Sequence, residues 1–461
     1  MRILALTDMI IKRAQANEPL WRVLESYHRN QNDFSNLKTV CVVSGPAGCG
    51  KTTYVLNYFK GKEYFYFSFA GLGEELAEKL FAEAVSDKCG VTVSGWAEAF
   101  KKLSSEYKFV LLDDLASLAN YKRFKEAFYD NMFPDIHTRP FVLLITNPTE
   151  DVGGLADRYV KTKLDYFSIP EVMKLCPKLS KINILGLCAL SGGIPAILNE
   201  YSPEIDFEGN VRKWLKPSST FVAHMPELML KHFRKTENYH HILCAIANGN
   251  FRVGQISKFT GFTHNKCDNY LARLIDNGFV TADKVISKSG IEKTVYRIAN
   301  SYYRLWHKYV LPNRSAIQLG EDKLISQIVA GISDTEIHRF HLRKAFMFMN
   351  AVFKQKLWMS FRITKGIAYA PKTIKEGRFQ YTFDAVVRNK HKAIFVKVFK
   401  NSLENCARAE LDRLLRAVSL INEYEDSHIY LFTKRRFSDY AVSKAAKDDV
   451  LNLVEVDRLK Y

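Results

Sequence analysis

The sequence predicts an α/β fold: a parallel sheet flanked by helices, then a winged helix-turn-helix, then a second and smaller α/β domain. Three observations predict it. Short β-branched or aromatic runs alternate with helical stretches over residues 1–215. A glycine-rich loop joins one such run to the helix that follows it. Further on, helices separated by a glycine turn lead into two short strands. Strands that alternate with helices imply a parallel sheet, because parallel partners need a crossover connection.

The chain has 461 residues, enough for about three domains, read here as 1–215, 236–311 and 315–461. Its 47% hydrophobic content can fill several cores. No run approaches the ~20 apolar residues of a membrane span. Residues 1–11 are apolar but carry Asp8 and precede Lys12 and Arg13, which suits an amphipathic helix better than a signal peptide. A cytoplasmic protein is expected. The 8 cysteines show no CxxC pair and no Cys/His spacing for zinc, so reduced thiols are expected rather than a disulfide framework. The net charge is +18, and about two-thirds of that excess lies after residue 300. A basic surface suits a polyanionic partner or simply keeps the chain soluble.

Each element then has a local reason. Residues 39–44 are a β-branched run and form a buried strand. Gly45-Pro46-Ala47-Gly48-Cys49-Gly50-Lys51-Thr52 follows, a complete Walker A pattern, with Thr53 opening the next helix. Glycines let backbone N–H groups approach phosphates without a Cβ in the way. Lys51 reaches the β/γ oxygens and the Thr52 hydroxyl suits Mg²⁺. The helix over 53–59 sets the phosphates at its N-terminus. The implied ligands are ATP and Mg²⁺.

Residues 62–69 form an aromatic strand and residues 74–85 a helix. Residues 107–114 are an apolar strand ending in Asp113-Asp114, a Walker B pattern. It delivers Asp113 beside the Mg²⁺ held by Thr52. Asp114 stands where many such sites place the Glu that orients the attacking water, and it is one methylene shorter, so slow hydrolysis is expected. Residues 139–146 form another strand that ends in Thr146-Asn147-Pro148. This is either a polar strand end that senses the γ-phosphate or an ordinary turn. Arg158 is either an arginine finger or a solvated surface residue. Ser191-Gly192-Gly193-Ile194-Pro195 is a tight junction between two helices.

These motifs, in this order, resemble the archaeal-type ATPases, a branch of the P-loop STAND/AAA-like class. Gly192-Gly193-Ile194-Pro195 matches that family's GGxP element, where a helical lid meets the nucleotide. The resemblance implies that this junction couples nucleotide state to domain position. The family's N-terminal Phe-x-x-Arg-x-x-Glu-Leu segment is reduced here to Leu20-Trp21-Arg22-Val23-Leu24-Glu25, which leaves adenine recognition unassigned.

Residues 240–249, 252–263 and 265–277 read as three helices, and residues around 280 and 295 as the strands of a wing. His264, Asn265, Lys266, Asn269 and Arg273 would face a DNA groove; the alternative is an arm that contacts the nucleotide domain. Residues 296–306 resemble the family motif Y-x-I-x-D-P-F-x-R-F-W, with Asn300-Ser301 in place of Asp-Pro.

The last domain begins with helices over 322–332 and 337–356 and continues with strands over 380–387 and 392–399, a helix over 404–421 and a strand over 428–433. That order resembles the restriction-endonuclease-like, PD-(D/E)xK fold. The resemblance places Asp384 as the first acid and Lys397 as the lysine. The second acid falls on Phe395, which cannot bind metal, so the nuclease is expected to be degenerate. The domain's positive charge is still suited to nucleic-acid phosphates.

Overall fold

The computed structural model describes residues 40–115, 122–132, 141–146, 159–286, 292–332, 370–388, 392–399, 408–420, 426–433 and 436–455. Asn147, Arg158, the segment 20–25 and the helices expected over residues 1–11 and 337–356 lie outside these residues. The chain divides into two compact units. The first takes Met1–Phe167 with Ile194–Asn199 and Pro226–Lys235, and the second takes Ser168–Gly193, Glu200–Met225 and Thr236–Tyr461.

The first unit is a five-stranded sheet in the order β2-β3-β4-β1-β5, parallel throughout. Its strands are β1 (Val40–Ser44), β2 (Phe65–Ser68), β3 (Phe109–Asp113), β4 (Phe141–Thr146) and β5 (Tyr159–Lys163). Between them run α1 (Lys51–Phe59), α2 (Glu74–Cys89), α3 (Gly95–Glu106) and α4 (Lys122–Met132). β1 and β3 are buried at every residue, as a parallel strand covered on both faces must be. α3 forms because Trp96, Ala99, Phe100 and Leu103 repeat on one helical face. With Phe69, Phe81 and Phe124 they build an aromatic cluster over one face of the sheet. Each fully buried ring stabilises the fold by roughly 2–3 kcal/mol.

The second unit opens with α5 (Ile169–Leu175) and α6 (Lys181–Ser191). Ser180 caps α6 by accepting from Asn183 N–H, and Gly192 closes it at φ +61°. The short α7 (Pro195–Leu198) follows in the first unit. α8 (Phe207–Trp214) returns to the second unit, and α9 (Thr220–His232) begins there. α10 (Glu237–Ala247), α11 (Val253–Thr260) and α12 (His264–Asp276) then precede the antiparallel pair β6 (Val280–Ile286) and β7 (Glu292–Ile298). α13 (Ser301–Leu305) runs into a π-helical turn at Trp306–Val310.

The π turn sets buried His307 against half-buried His240 of α10. His307 Nδ1–H donates to Tyr303 O at 2.7 Å, so its Nε2 accepts from His240 Nδ1–H at 3.0 Å. Burial pushes His307 down to about 3, helped by the neighbouring His240. Burial also lowers His240 to about 4; Arg314 and His241 act in the same direction and Glu237 opposes them. Both rings are neutral above the ordinary histidine pKa of about 6.5, and there the pair adds no pH dependence. Below it the unfolded chain takes up protons that the folded chain refuses. Stability therefore falls as pH drops from about 6.5 towards 4, with a limiting slope of about 1.4 kcal/mol per pH unit for each ring. Urea midpoints measured across that range should show the loss, and His307→Gln should remove the share of His307 and leave that of His240.

The second sheet has the order β12-β11-β10-β9-β8. β8 (Ala370–Glu376), β9 (Phe379–Arg388) and β10 (Lys392–Val398) are antiparallel neighbours. β11 (Asp426–Thr433) and β12 (Leu451–Glu455) extend the sheet in parallel. α14 (Arg408–Ser419) packs on it through Leu411, Leu414 and Ala417, and α15 (Asp439–Ala445) through Ala441. Among the described residues, no helix is long and apolar enough to cross a membrane.

Candidate nucleotide site

The first unit gathers polar residues at the carboxyl ends of β1, β3 and β4, the edge where open α/β sheets bind ligands. Ser44 ends β1 opposite Thr146 at the end of β4, and Asp113 ends β3 opposite Ile145. Gly45 N–H donates to Thr146 O at 3.3 Å, which ties the start of the loop to β4. A Cβ at Gly45 would overlap the Leu164 carbonyl oxygen and sit 2.9 Å from Cys49 Sγ, so only glycine fits. Gly48 and Gly50 have φ of 77° and 92°, in the left-handed region that glycine favours. Gly50 is also the N-cap of α1 and offers no side-chain cap, so the first N–H groups of α1 face the loop.

Lys51 is only 8% exposed. Its ammonium donates to Gly45 O at 2.8 Å and to Pro46 O at 3.2 Å. Thr52 Oγ1 donates to Asp113 Oδ2 at 2.6 Å. Asp114 N–H donates to Asp113 Oδ1 at 2.8 Å. Burial pushes the Asp113 carboxyl up, with a smaller push from the Asp114 charge; the hydrogen bonds from Thr52, the Asp114 backbone and Tyr66 oppose it. The structure thus brings Lys51, Thr52, Asp113 and Asp114 to one edge, with Thr146 buried beside them. Thr53 faces solvent on α1.

Asp114 is the one described non-glycine residue with positive φ, at 54°. Asp and Asn tolerate this conformation better than other side chains. Asp114→Ala should cost roughly 1–2 kcal/mol in backbone strain, and Asp114→Asn much less. Chemical denaturation of the two variants checks this, and equal losses would contradict it.

Two contacts escaped the sequence. Tyr66 on β2 donates its hydroxyl to Asp113 Oδ2 at 3.1 Å. Tyr166, just after β5, donates to Ala47 O at 2.9 Å and holds the loop from its other side. Pro195 Cγ lies 3.7 Å from where a Cβ would stand on Gly50, which sets Pro195 at the end of the loop. In the second unit, Asn300 is the N-cap of α13. It accepts from Tyr302 N–H at 2.9 Å and donates to Gly192 O at 3.0 Å. Asn300 therefore clamps the glycine turn to α13.

In the three-helix segment, His264, Asn265, Asn269 and Arg273 are exposed on α12, opposite buried Cys267, Leu271 and Leu274. The Lys266 ammonium stands 3.7 Å over the Phe262 ring, and Arg273 donates to Tyr239 OH at 3.3 Å.

In the second sheet, three steps of β9 (383 to 386) oppose two steps of β8 (372 to 370), which makes a bulge between Phe383 and Val386. Lys397 Nζ lies 3.9 Å from Asp384 Oδ2 and donates to Thr382 O at 3.0 Å, while Val398 N–H donates to Asp384 at 2.8 Å. Phe395 is 0% exposed and belongs to the core.

The sheet order and the loop between β1 and α1 decide the fold at this first site. It fits a P-loop NTPase. No protein-family model matches the chain. An uncharacterised protein of Methanocaldococcus jannaschii is 24% identical over 306 residues, covering 63% of this chain and 68% of its own length. A Walker-type ATPase of Pyrococcus abyssi superposes with a TM-score of 0.43 at 16% identity, over 62% of this chain and 93% of its own. The Orc1 protein of Aeropyrum pernix, solved in complex with DNA, gives 0.33 at 13% identity, over 68% and 94%.

Proposed function

We propose that the chain is an ATP- and Mg²⁺-binding ATPase that works as a nucleotide switch and repositions winged-helix and nuclease-like modules, with DNA as the partner. The observation that carries the reading is the convergence of Thr52 and Asp113, 2.6 Å apart, at the mouth of a loop that only glycine can form at residue 45. A hydroxyl and a carboxylate suit a hard cation, and a cradle free of Cβ atoms suits phosphates. Thr52 and Asp113 would hold Mg²⁺, which supplies charge neutralisation on the phosphates. Residues Gly45 to Thr53 wrap the phosphates, and Lys51 neutralises the terminal ones. Asp114 orients water, with Asn147 and Arg158 as further candidates for sensing and stabilising charge.

The short carboxylate of Asp114, held in a left-handed turn, favours slow turnover and a switch over a fast enzyme. The Asn300 clamp on Gly192 gives the glycine turn a mechanical link to the segment that follows the β6–β7 hairpin. The exposed face of α12 and the charge excess after residue 300 suit DNA phosphates. With Phe395 in the core, Asp384 faces Lys397 rather than a second acid, which favours a binding scaffold over a cleaving one.

Steady-state ATP hydrolysis with and without single- and double-stranded DNA tests the reading. Stimulation by DNA at moderate salt is expected. Hydrolysis indifferent to DNA would move the partner to a protein, and metal-dependent DNA cleavage lost in Asp384→Ala would overturn the scaffold reading.

A further inference from the structure

We infer that Tyr66 is a positioning residue for the Mg²⁺-holding pair: from β2 it fixes the Asp113 carboxylate in the orientation that meets Thr52. The inference rests on the nucleotide-site reading and adds to it a residue outside every motif. In the β2–β3 register Tyr66 lies opposite Leu111 and Ser68 opposite Asp113, so Tyr66 and Asp113 share one face of the sheet. The phenol reaches diagonally to the strand end and donates to Asp113 Oδ2 at 3.1 Å.

Asp113 then has three donors. Thr52 and Tyr66 share Oδ2, and the Asp114 N–H takes Oδ1. Asp113 is 2% exposed, so these contacts, rather than water, decide how the carboxylate turns about χ2. The Thr52 hydroxyl has one hydrogen, and its direction to Asp113 leaves the oxygen lone pairs for a cation. Tyr66 keeps that direction by holding the acceptor still. The phenol brings the single proton of that bond, since the carboxylate can only accept. Partners one shell out from a metal ligand act in this way in other sites, and their loss costs about 10-fold or more in metal affinity.

The test uses the full chain and a non-hydrolysable ATP analogue with a fluorescent base. Nucleotide affinity is measured in EDTA, and then the Mg²⁺ concentration for half-maximal enhancement is titrated. Tyr66→Phe keeps the ring and its packing. It should leave the EDTA affinity and the melting temperature unchanged and raise the Mg²⁺ half-saturation by about 10-fold. A Mg²⁺ half-saturation equal to wild type would overturn the inference. So would a loss of the same factor in EDTA, which would assign the ring a packing role. A wild-type chain that binds the analogue with no Mg²⁺ dependence would sink the nucleotide-site reading itself, and the inference with it.

Discussion

Lys51→Ala is expected to abolish nucleotide binding, with an affinity loss of about 100-fold or more, the equivalent of one charge-assisted contact worth roughly 3 kcal/mol. The side chain is nearly buried, and its ammonium lies inside the loop on the carbonyls of Gly45 and Pro46. A phosphate in that cradle meets the same ammonium, where water screens the pair poorly. The loop should survive the substitution, because Gly45 remains bonded to Thr146 and Ala47 to Tyr166. Binding of a fluorescent ATP analogue, with the melting temperature as a control for folding, separates the two effects. A variant that binds as tightly as wild type would contradict the site.

Gly192→Ala is expected to destabilise the second unit by roughly 3 kcal/mol, because two penalties add. The backbone is at φ +61°, which costs a non-glycine residue about 1–2 kcal/mol. The new Cβ would also overlap Asn300 Oδ1 and lie 2.6 Å from Asn300 Cγ. Asn300 would then have to leave Gly192 O and Tyr302 N–H, and the α13 cap alone is worth about 1 kcal/mol. Asn300→Ala removes the overlapping atoms, so the alanine at 192 should cost less in that background. A double-mutant cycle by urea denaturation measures the difference. Strict additivity would mean that Asn300 does not clamp the turn.

The contrast between what was legible and what was not follows the range of each interaction. The loop at 45–52 could be read because its chemistry is local: glycines, a lysine and a threonine at fixed offsets. Strands β1, β3 and β4 could be read from apolar runs that end in polar residues. β5 escaped because Tyr159-Val160-Lys161-Thr162-Lys163 is mostly polar and lacks the apolar run of its neighbours, although it pairs with β1 along its whole length. Tyr66 escaped for a similar reason. An aromatic strand shows that Tyr66 is present but not which face it shares, and that depends on the β2–β3 register.

Asn300 reads in sequence only as a departure from Asp-Pro. As an N-cap that also reaches Gly192, 108 residues earlier, it has a role that no local spacing reveals. At the second sheet, the resemblance to the PD-(D/E)xK fold named Asp384 and Lys397 as a pair. Their approach follows from the β9–β10 register, in which Val396 lies opposite Ala385, and that pairing is not written in either strand alone.

Amide hydrogen exchange of the full chain, with and without ATP and Mg²⁺, tests the central claim most directly. Binding at this edge should slow exchange by about 10-fold or more at the amides of residues 45–59, where the loop and the N-terminus of α1 meet the phosphates. Protection should extend to Gly192 and Gly193 if the turn follows nucleotide state. Unchanged exchange over residues 45–59 at saturating nucleotide would contradict the account.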